Sequence, residues 1–158
     1  MTTATNPQVN YAEAARRHLH DGETLYGIGR HANAGQLFGF AAECGLKAML
    51  IACKVPAGSD GGLPESDPTK PQKKHPLREH VPQLMNRIAQ LRHLIPDGVS
   101  ATRYLAVLPG LIHFTNWSID HRYWRETALP LASVADWRVA AIEVGTMLDQ
   151  AKQDGVLS

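Results

Sequence analysis

Residues 38–53 form an apolar run broken by one acid and one base, Glu43 and Lys47. At helical pitch these two lie four residues apart on one face, in the order that favours an intrahelical ion pair. Around them Gly39, Ala41, Ala42, Gly45 and Ala48 are small enough to let another helix approach closely. The spacing predicts a helix over about 33–54, with Leu37, Ala41, Cys44, Ala48 and Ile51 as its apolar stripe. Before it, Tyr11, Ala15, Leu19 and Tyr26 recur at helical intervals. A first helix is therefore expected from Asn6-Pro7, with the amide as cap and the proline in the first turn, to about Tyr26. Gly27, Gly29 and Arg30-His31 mark the turn that sets the two helices antiparallel.

The pattern disappears from 56 to 76, where prolines stand at 56, 64, 68, 71 and 76 among Gly, Ser, Asp and Lys. Such a stretch buries little apolar surface, so it reads as a mobile loop inside a single domain covering 1–158. Helical periodicity returns over 79–94, with Val81, Leu84, Met85, Ile88 and Leu91 inward, and Ile95-Pro96-Asp97-Gly98 stops it. The apolar region 101–114 is expected to divide at Pro109-Gly110. A last helix should begin at Ser133, which forms a variant capping signature with Asp136, and continue to about Gln153. No strand pattern is visible, and the elements predict an all-α fold, an antiparallel up-and-down bundle of about five helices.

The chain has 158 residues and is 44% hydrophobic, enough for one core. Its formal net charge of +1 demands no polyanionic partner and leaves only local basic patches to consider. Lys70, Lys73, Lys74 and Arg78 make one such patch, suited either to touching phosphates or to keeping a loop in water. Cys44 and Cys53 fall in one helix, roughly 13 Å apart along its axis, too far for a disulfide. Free thiols, a polar Met1 to Val9 and the lack of a membrane-length apolar run set cytoplasmic residence as the expectation, with no membrane partner.

Between the last two helical regions, residues 113–124 collect two tryptophans, a tyrosine, an arginine, an aspartate and two histidines. Three features then coincide in order: Glu43-x-x-x-Lys47 on a helix, His75-Pro76-Leu77 after a variable loop, and Arg122-Tyr123 before a final long helix. In this order they resemble the HEPN domain family, the higher eukaryotes and prokaryotes nucleotide-binding domain, over about Tyr11 to Leu148. Trp124 stands where many relatives have proline. The resemblance implies an all-α bundle that often forms a homodimer, and a role around RNA, nucleotides, toxin–antitoxin or defence systems. Some members are metal-independent ribonucleases that use an Arg, four to six residues, then His; others bind ligands or partner a nucleotidyltransferase.

The expected role for this chain is a binding or accessory protein, with a ribonuclease and a purely structural interaction module as alternatives. Arg87 and His93 have the ribonuclease spacing, in which arginine stabilises phosphate charge and histidine moves protons. A chain with eight histidines offers such a match by chance. On one continuous helix the two side chains would also stand about 120° apart. His121 beside Arg122 is the other weak candidate. Glu43 and Lys47 are expected to form a structural ion pair, with Arg122 reaching Glu43 or a carbonyl, because a buried acid is tolerated when paired. With His75 and Tyr123 these residues make up the polar cluster for binding or structure. His75 and His80 lack the spacing of paired metal ligands, so neither metal nor cofactor is expected. His18 and His20 are expected in solvent. Trp117, Tyr123 and Trp124 suit either base stacking or burial at a helix end or dimer interface.

Overall fold

A computed structural model describes residues 7–158. Five α-helices carry the fold: α1 (Tyr11–Gly27), α2 (His31–Ala52), α3 (Gln83–Gln90), α4 (Gly98–Leu105) and α5 (Val134–Gln153). Short 3-10 turns fill most of the stretch between α4 and α5. The all-α expectation holds, and none of the helices in the described residues is long and apolar enough to cross a membrane.

Helix α2 is the axis of the molecule. It is buried on most sides, with Phe38, Ala42, Leu46 and Leu50 fully enclosed. Leu37, Cys44 and Ile51, expected as the inward stripe, are its less buried residues. The reason lies in the run itself, since a helix apolar all round has no solvent face and becomes the core. Small residues set the approach of its neighbours. Gly39 lies under the ring of Trp117, Gly45 faces Val144, and Gly35 packs on Trp137 and Val134.

These contacts also define direction. Gly35 meets Val134 and Trp137, and Gly45 meets Val144 and Leu148, so α5 runs the same way as α2. Helix α1 runs opposite to both, with Arg16 beside Asp149 and Glu23 beside Arg138. The Arg138 guanidinium grips Glu23 through two bonds of 2.7 and 2.8 Å, a planar fork matched to a carboxylate. The parallel α2–α5 pair is possible because residues 53–133 cross back along the bundle between them.

Helix boundaries depart from the sequence reading at proline and capping positions. Asn6 lies outside the described residues, and α1 begins four residues after Pro7, where the Asn10 side chain accepts the Glu13 amide at 3.0 Å. The third helix starts only at Gln83, because Pro82 disfavours helical geometry at the residue before it. It ends at Gln90, and Arg92–Leu94 form a separate 3-10 turn. Pro109 does divide the next apolar region, ending α4 before a 3-10 stretch over Pro109–Asn116. Ser133 does not cap α5; its hydroxyl accepts from the Asn116 amide at 2.8 Å, and Asp136 lies 3.9 Å from His113.

The proline-rich segment holds a hairpin that the sequence reading missed. Strands β1 (Ser66–Asp67) and β2 (Lys70–Lys74) pair antiparallel around Pro68-Thr69. Asp67 closes the turn by accepting both the amide and the hydroxyl of Thr69 at 2.8 Å. Every residue of β2 is exposed, so no alternation of apolar and polar positions announced it. The segment is nonetheless anchored: Leu63 is buried, its amide donates to the Tyr11 hydroxyl, and His75 N–H donates to the Glu65 carbonyl.

Candidate functional site

Two polar constellations stand out, one internal and one open. The internal one is centred on Glu43. Its Oε2 accepts from Lys47 Nζ at 3.0 Å and its Oε1 pairs with His80 Nδ1 at 2.6 Å. Glu43 and Lys47 are 8% and 7% exposed, whereas the His80 side chain is 52% exposed. Both carboxylate oxygens are thus occupied inside the protein, and the imidazole alone reaches water. Lys47 also lies over the Tyr11 ring at 5.8 Å. Arg122 is not among the partners of Glu43; its guanidinium sits over the Tyr123 ring at 4.7 Å. The expected arginine partner is replaced by His80, which the sequence reading had weighed only as a metal ligand. The signal for it was weak, because the loop and hairpin that carry His80 back to α2 have no hydrophobic pattern.

His75 is structural in part. Its Nδ1 accepts the Leu77 amide at 3.1 Å, closing the turn that drives Leu77 into the core. An Nδ1 that accepts leaves the proton of the neutral ring on Nε2. Burial also pushes the His75 pKa down, with Arg78 adding to the effect against Asp67.

The open constellation is a cleft of about 540 Å³ between the hairpin and the end of α3. Lys70, Lys73, Lys74 and His75 line one side, and Arg87, Leu91, His93 and Leu94 line the other. Arg87 and His93 therefore share a cavity, contrary to the divergence expected on one helix. The break after Gln90 is the cause, since it redirects His93 out of the helical register. Lys74 is paired with Glu79 at 3.3 Å, while Lys70, Lys73 and Arg87 have no ion-pair partner among the described residues. Asp67, the other acid in the cleft, is engaged with Thr69. Three uncompensated cations facing one concavity favour an anion there.

His121 does not join a catalytic arrangement. It is 8% exposed, lies against Trp137 and Trp124, and burial lowers its pKa. Trp117 is also internal, donating its indole N–H to the Gly35 carbonyl at 2.9 Å. Tyr123 and Trp124 are exposed. His18, expected in solvent, is half-buried against Phe40 with a pKa lowered by burial first and Arg17 second, against Asp21 and Glu43. Among the described residues no group of three or more His, Cys, Asp or Glu side chains is placed to hold a metal ion. Both cysteines are free, with thiols pushed up to about 11 by burial, so neither is a ready nucleophile at neutral pH.

The three buried histidines fix an acid sensitivity. Each has a folded-state pKa below the ordinary 6.5, so the unfolded chain binds more protons as pH falls. Their stabilisation is complete above pH 6.5 and is lost as pH drops from there through the folded values. Thermal melts at pH 7.5 and 5.5 should show a lower midpoint in acid, and His121→Phe should flatten the dependence. An unchanged slope in that variant would show that His121 is not neutral and buried in solution.

No family model, no curated protein and no solved structure matches this chain.

Proposed function

We propose that this protein is a HEPN-like binding or accessory component of a cytoplasmic nucleotide- or RNA-related system, holding phosphate groups in the lysine cleft. The observation that carries the reading is the convergence of Lys70, Lys73 and Arg87, all without carboxylate partners, on one cavity of about 540 Å³. Lysines act there as point charges, and the arginine fork bonds two phosphate oxygens at once. The internal Glu43–Lys47–His80 set supports the same reading by exclusion, since its carboxylate is fully committed to holding the fold. A homodimer, or a pairing with a nucleotidyltransferase, is the setting the resemblance suggests.

A second reading, a metal-independent ribonuclease, is favoured by the shared cleft of Arg87 and His93. In it Arg87 would stabilise the phosphate and His93 would exchange protons with the ribose hydroxyl and the leaving oxygen.

One experiment addresses both. Binding of unstructured RNA should weaken steeply with salt, and Lys70→Ala, Lys73→Ala and Arg87→Ala together should lower the slope of log affinity against log salt by about 2. A slope unaltered in the triple variant would rule out the cleft as the phosphate site. If the RNA is cut in the presence of a chelator and His93→Ala stops the cutting, the ribonuclease reading replaces the accessory one.

A further inference from the structure

Trp137, His121 and Trp124 form an aromatic ladder from the core to the surface. His121 lies nearly parallel to Trp137, with ring centroids 5.9 Å apart and planes inclined by 25°. Its other neighbour is Trp124, met edge-on at 4.5 Å and 62°. Exposure climbs along the ladder, from 3% at Trp137 and 8% at His121 to 48% at Trp124, and Tyr123 beside it is 75% exposed. Arg122 covers one part of the Tyr123 ring, and neither Arg122 nor Arg125 has a carboxylate partner among the described residues.

A large ring left half in water is an unfavourable use of apolar surface unless something covers it. Trp124 is already braced by a buried neighbour, so little side-chain freedom is lost when a partner stacks on it. Two exposed aromatic planes interleaved with two free guanidiniums suit the faces of unpaired bases and the phosphates that link them. Asp120 and Glu126 flank the arginines and cancel their net charge. Stacking, rather than long-range attraction, is therefore the energy available at this edge.

We propose that the Tyr123–Trp124 edge stacks unpaired bases of a single-stranded RNA. The inference rests on the phosphate-binding reading above and narrows its ligand from any phosphate carrier to a strand with accessible bases. Trp124 supplies the next rung for a base, and the Arg122–Tyr123 pair offers a second plane. The lysine cleft then contributes the salt-dependent part of binding and the aromatic edge the salt-insensitive part.

The tryptophans make the edge observable. Trp117 and Trp137 are 2% and 3% exposed, so a change of indole emission on binding reports Trp124. Two probes are titrated into the full chain: an oligouridylate, and inorganic polyphosphate of matching charge, which carries no bases. Oligouridylate should bind at least about tenfold more tightly and quench the emission. Trp124→Ala should erase both differences, while Trp124→Phe should keep most of the affinity gap and lose the quench. Equal affinity for the two probes would overturn the inference and leave the cleft reading standing. Failure of both probes to bind would overturn the two together. Conversion of a dimer to a monomer by Trp124→Ala, seen by light scattering, would assign this edge to self-association and also overturn it.

Discussion

Replacing Gly39 by alanine should lower the melting temperature by about 10 °C, the shift expected for a loss of about 3 kcal/mol in a domain of this size. The added methyl would overlap the indole of Trp117, which is fully buried and pinned by its bond to the Gly35 carbonyl. A helix backbone on one side and a fixed ring on the other leave no direction for relief. The alternative, in which Trp117 swings away, breaks the indole bond and opens a void in the core. Gly27→Ala is the control, because nothing stands within 4 Å of its new methyl. That variant should melt close to the parent. Equal melting of the Gly39 and Gly27 variants would show that Trp117 is not seated on α2.

Removing the acid of the internal pair should cost about as much or more. Glu43→Gln leaves Lys47 buried without its counter-charge, and breaking a buried pair on one side typically costs about 3–5 kcal/mol. His80 loses its partner at the same time, but it is half exposed and water can replace the bond. The informative comparison is the double variant Glu43→Leu with Lys47→Met. Both charges then vanish together, and the apolar pair should recover most of the lost stability. Urea unfolding of the three proteins gives the answer. If Glu43→Gln is as stable as the parent, the pair is not buried in solution; if the double variant is no better than the single one, the carboxylate is needed for more than neutralising Lys47.

The sequence was most legible where periodicity is long and the chain unbroken. Helices α1, α2 and α5 could be placed because apolar residues repeat over several turns, and the Glu43–Lys47 bond follows from spacing alone. It was least legible where a single residue overrides the pattern. Pro82 delays α3, and the Asn116 amide takes the Ser133 hydroxyl away from its capping position. The hairpin left no trace, because an exposed strand reading Lys-Pro-Gln-Lys-Lys carries no inward face. The candidate site suffered for the same reason. Arg87 and His93 were noticed by their spacing, yet their meeting with Lys70 and Lys73 depends on a strand and a helix break that no periodicity encodes.

Helix α2 also acts as a ruler. Its first turns carry the Gln36 contact to the Ile119 carbonyl and the packing under Trp137, while its last residue region is tied to Asp97 beyond the cleft wall. Its 22 residues span about 33 Å at 1.5 Å per residue. A stacked strand rising about 3.4 Å per nucleotide needs about ten of them to cover that distance. A mononucleotide can occupy only one end at a time, whatever its affinity. The protein would therefore distinguish its ligands by length before it distinguished them by sequence, and the discrimination would be built into the rigid core rather than into either surface.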